Sequence, residues 1–115
     1  FGATGDRDKT KRPLMGEIAV KYADRIYLTD EESYNEDPKS IREMILSGIQ
    51  TASGLEKTVE ISDRREAIRS AIAESSFGDI LLVTGMGHEN FRIINGEKVP
   101  WNDGEVIREI LAGKK

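Results

Sequence analysis

The sequence predicts an α/β fold, a three-layer sandwich whose mostly parallel sheet has helices on both faces and an antiparallel hairpin at one side. Three observations predict it. Segments with helical spacing alternate along the chain with short strand-like runs. One run, Ile80-Leu81-Leu82-Val83, is continuously apolar, as a strand buried on both faces would be. Asn95-Gly96 stands between two further strand-like runs and is the strongest short hairpin signal available. The 115 residues form one domain, 1–115, with no room for a second independent core.

The elements follow in order. Phe1-Gly2-Ala3-Thr4-Gly5 reads as the end of a strand entering a glycine loop, so the first strand is expected to be truncated and the chain to be a fragment of a longer polypeptide. Leu14, Met15, Ile18, Ala19 and Tyr22 make a helical stripe, with Pro13 suited to the first helical position. Residues 25–29 form the next strand. Ile41, Met44, Ile45 and Ile49 mark a second helix, capped by Asp37 and opened by Pro38. Residues 58–61 read as a half-exposed strand. Ala67, Ile68, Ala71 and Ile72 mark a third helix, with Asp63 and Glu66 spaced as a capping box. The run 80–83 follows, then the hairpin of 91–94 and 97–99. Val106, Ile107, Ile110 and Leu111 mark the last helix, where Asn102 and Glu105 repeat the capping signal.

Composition excludes several chemistries. There is no cysteine, which removes disulfides, thiol nucleophiles and cysteine-based zinc sites. His88 is the only histidine, so a multi-histidine metal site is excluded too, and no metal site is expected. The net charge of -4 argues against nucleic acid as a partner. No stretch approaches the ~20 apolar residues needed to span a bilayer, so no membrane partner and a cytoplasmic location are expected.

In open parallel sheets ligands gather at the carboxyl ends of the strands. Three loops fall there. The first, residues 2–12, joins two glycines to Arg7, Lys9, Lys11 and Arg12 ahead of a helix N-terminus, a setting for an anion or a solvated charged turn. It contains no Gly-Lys-Ser/Thr and is not a P-loop. The second, residues 29–37, holds five carboxylates within eight residues, suited to an ammonium group or a divalent metal, or simply an acidic surface. The third is Gly85-Met86-Gly87-His88-Glu89, where paired glycines permit close backbone approach to a ligand or a sharp turn. His88 beside Glu89 is a weak acid/base candidate, because adjacent side chains point apart.

Together these loops resemble the C-terminal domain of the Mur ligases. The run from Phe1 to Gly16 is similar to that family's GGDRDKGKRPLMG, Asp63-Arg64-Arg65-Glu66-Ala67-Ile68 to its DRxEAI, and Gly85 to Glu89 to its GKGHE. The three matches keep the family's order over essentially the whole chain. Within the family, the chain is most like the members that add the third amino acid to UDP-MurNAc-L-Ala-D-Glu in peptidoglycan synthesis.

The resemblance implies a Rossmann-like domain of a three-domain, ATP-dependent amide ligase. ATP and Mg²⁺ would be bound mainly by domains absent here, which would also hold the UDP-MurNAc-dipeptide. The catalytic residues would then lie outside this fragment, and the isolated domain would be inactive. Arg7 matches the arginine that binds the incoming amino acid's carboxylate. Gly85 and Glu89 match the positions that hold the far end of a diamino acid.

The second loop departs from the pattern. Members that add meso-diaminopimelate carry Asp-Asn-Pro-Arg there, and the arginine clamps the distal carboxylate. Aligned without a gap, Glu32 replaces the asparagine and Tyr34 the arginine. An acid at Glu32 would repel a second carboxylate and attract a lone ammonium. The substitution therefore favours L-lysine or ornithine, with meso-diaminopimelate as the alternative. Met86, where lysine is usual, has no interpretation. A stand-alone module binding an amino acid or nucleotide through the same loops is a further alternative.

Overall fold

The computed structural model describes residues 1–86, 90–94 and 96–113. Its elements are α1 (Lys11–Tyr22), β1 (Ile26–Leu28), α2 (Pro38–Thr51), a 3₁₀ turn (Leu55–Lys57), β2 (Thr58–Glu60), α3 (Arg64–Glu74), β3 (Phe91–Ile94), β4 (Glu97–Pro100) and α4 (Asp103–Leu111). β1 and β2 pair in parallel, with Ile26 opposite Thr58 and Leu28 opposite Glu60. β3 and β4 form the expected antiparallel hairpin, Phe91 opposite Pro100. Asn95, half of the hairpin signal, lies outside the described residues.

Strand alternation sorts the layers. Ile26 and Leu28 are buried and join Ala3, Ile41, Ile45 and Ile49 in the main core, with Met15, Ala19 and Val20 packed against it. Tyr27, pointing the other way, reaches α3 through its hydroxyl, which donates to Glu74 at 2.7 Å. So α1 and α2 cover one face of β1 and α3 the other. A smaller apolar set, Ala67, Ile68, Ala71, Met86 and Val106, fills the α3–α4 side.

The capping signals are realised. The carboxylate of Asp37 accepts from the Lys39 amide, and Asp63 accepts from the Glu66 amide. The Asn102 side chain accepts from the Glu105 amide. Each satisfies one of the donors that a helix start leaves unpaired.

α1 differs from expectation. It starts at Lys11, so Pro13 is its third residue, still within the first turn where an amide has no helical partner. Of its apolar stripe, Met15 and Ala19 face the core, while Leu14, Ile18 and Tyr22 are exposed. The helix buries Arg12 and Gly16 instead. Gly16 and Gly48 explain the contact with α2. A Cβ on Gly16 would strike the Ile45 carbonyl, and one on Gly48 would strike the carbonyl of Pro13. Two backbones meet where side chains would hold them apart.

The main correction concerns residues 80–83. They form no strand, and Ile80 is 95% and Leu82 78% exposed. The edge of β1 that β2 leaves open is taken by Phe1. Its amino group donates to the Tyr27 carbonyl and its carbonyl accepts from the Thr29 amide, both at 2.9 Å, so Phe1 holds one rung of a parallel ladder beside β1. A strand is defined by its partner, and among the described residues no backbone pairs with the 80–83 run.

Candidate amino-acid-binding site

The three loops do meet at the carboxyl end of β1. Loop 2–12 and loop 30–37 are stitched by backbone. The Gly5 amide donates to the Glu32 carbonyl at 2.6 Å and the Asp6 amide to the Glu36 carboxylate at 3.0 Å. Thr4 donates its hydroxyl to Glu31 at 2.7 Å.

Beneath the stitching lies Arg12, 1% exposed. Its guanidinium donates to both oxygens of Glu36 and, at 2.9 Å, to the Thr4 carbonyl. The Arg12 hydrogen bonds hold the Glu36 carboxyl far below the usual carboxylate range, at about 2. Glu36 is thus a structural counter-ion that joins both loops to the start of α1.

The third loop joins through Gly85. Its φ is +111°, and a Cβ there would strike the Glu31 carboxylate, so only glycine lets Glu31 lie against this backbone. Burial raises the Glu31 pKa, against the hydrogen bond from Thr4. Below Gly85 sits Arg64, also 1% exposed. It grips Asp103 with two bonds of 2.8 and 2.7 Å and donates to the carbonyls of Asp30 (3.1 Å) and Thr84 (2.9 Å). Trp101 adds a 2.6 Å bond from its indole nitrogen to Asp103, and the Asp103 amide donates to the Met86 carbonyl at 3.3 Å. Burial pushes the Asp103 carboxyl up, but the bonds from Arg64 and Trp101 outweigh it and hold the carboxyl below its ordinary value.

The predicted residues fall as follows. Arg7 is exposed on the first loop, with no ion-pair partner among the described residues. Glu32 is half-buried and contributes its carbonyl to the loop stitching. Tyr34 has a left-handed backbone, φ +50°, which is uncommon for a bulky residue. Two bonds to the hairpin hold it there, from the Tyr34 amide to the Ile93 carbonyl and from the Gly96 amide to the Tyr34 carbonyl. Gly85 is in place beside Glu31. Glu89, with Gly87 and His88, lies outside the described residues. Met86 is fully buried, which accounts for an apolar side chain at that position.

The acids of the second loop do not converge. Asp30 pairs with Arg42, Glu31 with Thr4, Glu36 with Arg12, and Asp37 caps α2. Sequence reasoning missed Glu31, Arg64 and Asp103 as parts of this site. Only their packing distinguishes them from other charged residues. No helix among the described residues is long and apolar enough to cross a membrane.

The family model described as "Mur ligase, glutamate ligase domain" matches residues 1–87. The chain is 50% identical over 111 residues to UDP-N-acetylmuramoyl-L-alanyl-D-glutamate--2,6-diaminopimelate ligase of Rickettsia typhi, covering 96% of this chain and 22% of that protein. It is 46% identical over 112 residues to the protein of the same name from Caldanaerobacter subterraneus subsp. tengcongensis, covering 97% of this chain and 23% of that one. A solved structure of a ligase of that name superposes with a TM-score of 0.89 at 37% identity, over 98% of this chain and 23% of that one. The chain thus spans less than a quarter of the length of these relatives. A resemblance carried by three loop motifs, a fold that brings those loops together, and these likenesses agree: the chain belongs to the Mur ligase family, as its C-terminal domain.

Proposed function

We propose that this chain is the amino-acid-binding domain of an ATP-dependent ligase that joins meso-2,6-diaminopimelate to UDP-MurNAc-L-Ala-D-Glu in the cytoplasm. The observation that carries the reading is the 50% identity, across nearly the whole domain, to proteins named for that substrate. In this reading Arg7 binds the α-carboxylate of the incoming amino acid, for which a planar donor fork with no competing ion pair is suited. Gly85 offers its backbone to the far end of the substrate, and Glu89 its carboxylate to the distal ammonium.

The residues present do not fit a nucleotide–Mg²⁺ centre. The chain holds no Gly-Lys-Ser/Thr loop, and four of the five second-loop acids are committed elsewhere, Asp30 to Arg42, Glu31 to Thr4, Glu36 to Arg12 and Asp37 to the start of α2. ATP, Mg²⁺ and the UDP-MurNAc-dipeptide therefore belong to the rest of the full-length protein, and the isolated domain turns nothing over.

One observation favours L-lysine or ornithine instead. Glu32 and Tyr34 leave an acid and a neutral phenol in the second loop, which suits a lone ammonium better than a carboxylate. Phosphate release by the full-length enzyme, with ATP and UDP-MurNAc-dipeptide, separates the readings. Turnover with meso-diaminopimelate in preference to L-lysine and L-ornithine is expected. Preference for lysine or ornithine would replace the proposal with the second reading.

A further inference from the structure

Diaminopimelate differs from lysine by one group, a carboxylate at the far end. A site that selects it needs a second cationic donor besides the one that takes the α-carboxylate. The described arginines near the three loops are largely spent. Arg12 is held by Glu36, Arg42 by Asp30 and Glu60, and Arg64 by Asp103. Arg7 is open but stands on the first loop. The remaining one is Arg92.

Arg92 lies on β3, next to Ile93, whose carbonyl ties the hairpin to Tyr34 in the second loop. Its guanidinium stacks on the Trp101 ring, 4.3 Å from the centroid. Trp101 in turn is bonded to Asp103, and Asp103 to the Met86 carbonyl, so Arg92 is linked to the second loop through its neighbour Ile93 and to the backbone after Gly85 through Trp101 and Asp103. Its Nε and Nη1 are buried and have no hydrogen-bond partner among the described residues. Stacking engages the face of a guanidinium and leaves its in-plane N–H donors unpaired. The acids that face it are committed: Asp30 to Arg42, Asp103 to Arg64 and Trp101, Asp63 to the start of α3. Arg64 is the other charge nearby and repels it. Burial, and then the like charge of Arg64, lower the Arg92 pKa, as for an enclosed cation with no counter-ion of its own among the described residues.

We propose that Arg92 is a specificity-determining residue that receives the distal carboxylate of the diamino acid, held in place by stacking on Trp101. The proposal rests on the diaminopimelate reading above. It explains how a chain with Tyr34 in its second loop accepts a dicarboxylate: the cation comes from the hairpin.

The test uses the full-length ligase, with Arg92→Gln and Arg92→Lys, and two substrates, meso-diaminopimelate and its distal monoamide. Wild type is expected to prefer the acid. Arg92→Gln is expected to raise KM for the acid at least tenfold, leave KM for ATP in place, and abolish the preference for acid over amide. Arg92→Lys, which keeps charge without the planar fork, is expected to fall between and guards against a glutamine variant that fails to fold. An unchanged acid-to-amide preference in either folded variant would overturn the role of Arg92 while leaving the diaminopimelate reading intact. A wild type that uses L-lysine and ignores diaminopimelate would overturn both.

Discussion

Glu36 shows how one side chain can hold two loops. It is the counter-ion of a buried arginine and also accepts the Asp6 amide, so its loss strands a charge rather than merely removing a surface contact. Removing one partner of a buried pair costs about 3–5 kcal/mol. Glu36→Gln is expected to destabilise the domain near the lower end of that range, about 3 kcal/mol, since an amide oxygen still accepts one bond. Urea unfolding of the two proteins measures it. The pH dependence has a definite sign. The Glu36 carboxyl lies at about 2 in the folded chain against 4.5 ordinarily, because Arg12 favours the ionised form. Its contribution is complete above pH 4.5 and is lost as pH falls toward 2. Burial raises the pKa values of Asp30 and Glu31, and their protonation acts in the opposite direction. The diagnostic is therefore the difference between wild type and Glu36→Gln, which should narrow as the pH is lowered through that window. A difference that stays constant from pH 6 to pH 2.5 would remove the pairing with Arg12 as the cause.

Elements here are set by where backbones can touch. At the α1–α2 crossing, Gly48 faces the carbonyl of Pro13, and Gly16 faces that of Ile45. Gly48→Ala gains up to about 1 kcal/mol of helix propensity. It also drives a methyl into backbone that cannot rotate away, an overpacking cost of about 1–3 kcal/mol. The second term is expected to win, giving a lower melting temperature in a calorimetric scan; an unchanged or raised one would mean that α1 slides freely. The displaced segment leads straight into Arg12, so the change should also reach the first loop. The starts of α2, α3 and α4 were legible because each cap is a local bond between residues two or three apart, whereas α1, which has no side-chain cap, starts two residues before Pro13. The glycine crossing was not, because neither glycine announces its partner. The hairpin was legible from its turn and the flanking runs. Residues 80–83 were misread because an apolar run reports a wish for burial, and only a neighbouring strand can grant it.

For the whole molecule, that unmet burial has a consequence in solution. Phe77, Ile80 and Leu82 are exposed, as are Leu14, Ile18 and Tyr22 on α1. Exposed apolar surface of this extent favours association. The 115-residue chain alone is expected to self-associate with rising concentration in sedimentation velocity, and Leu82→Lys to shift it toward monomer. A concentration-independent monomer would contradict this. The family and the placing of the loops at one end of the sheet were legible because loop motifs are contiguous in sequence. The wiring beneath them was hidden. Arg64 and Asp103 lie 39 residues apart, and nothing local in either distinguishes a buried pair from two surface charges.

That wiring also governs how the site breathes. One guanidinium, Arg64, is bonded at once to the end of β1, to the backbone before Gly85 and to the start of α4. Amide hydrogens at Asp30 and Asp103, bonded to Ser62 and Met86, therefore belong to one cooperative opening unit. In hydrogen-exchange measurements the two should share a single opening free energy, and Arg64→Lys should split them. Substrate loops wired this way open and close together: an amino acid that orders one of them has already ordered the floor of the next.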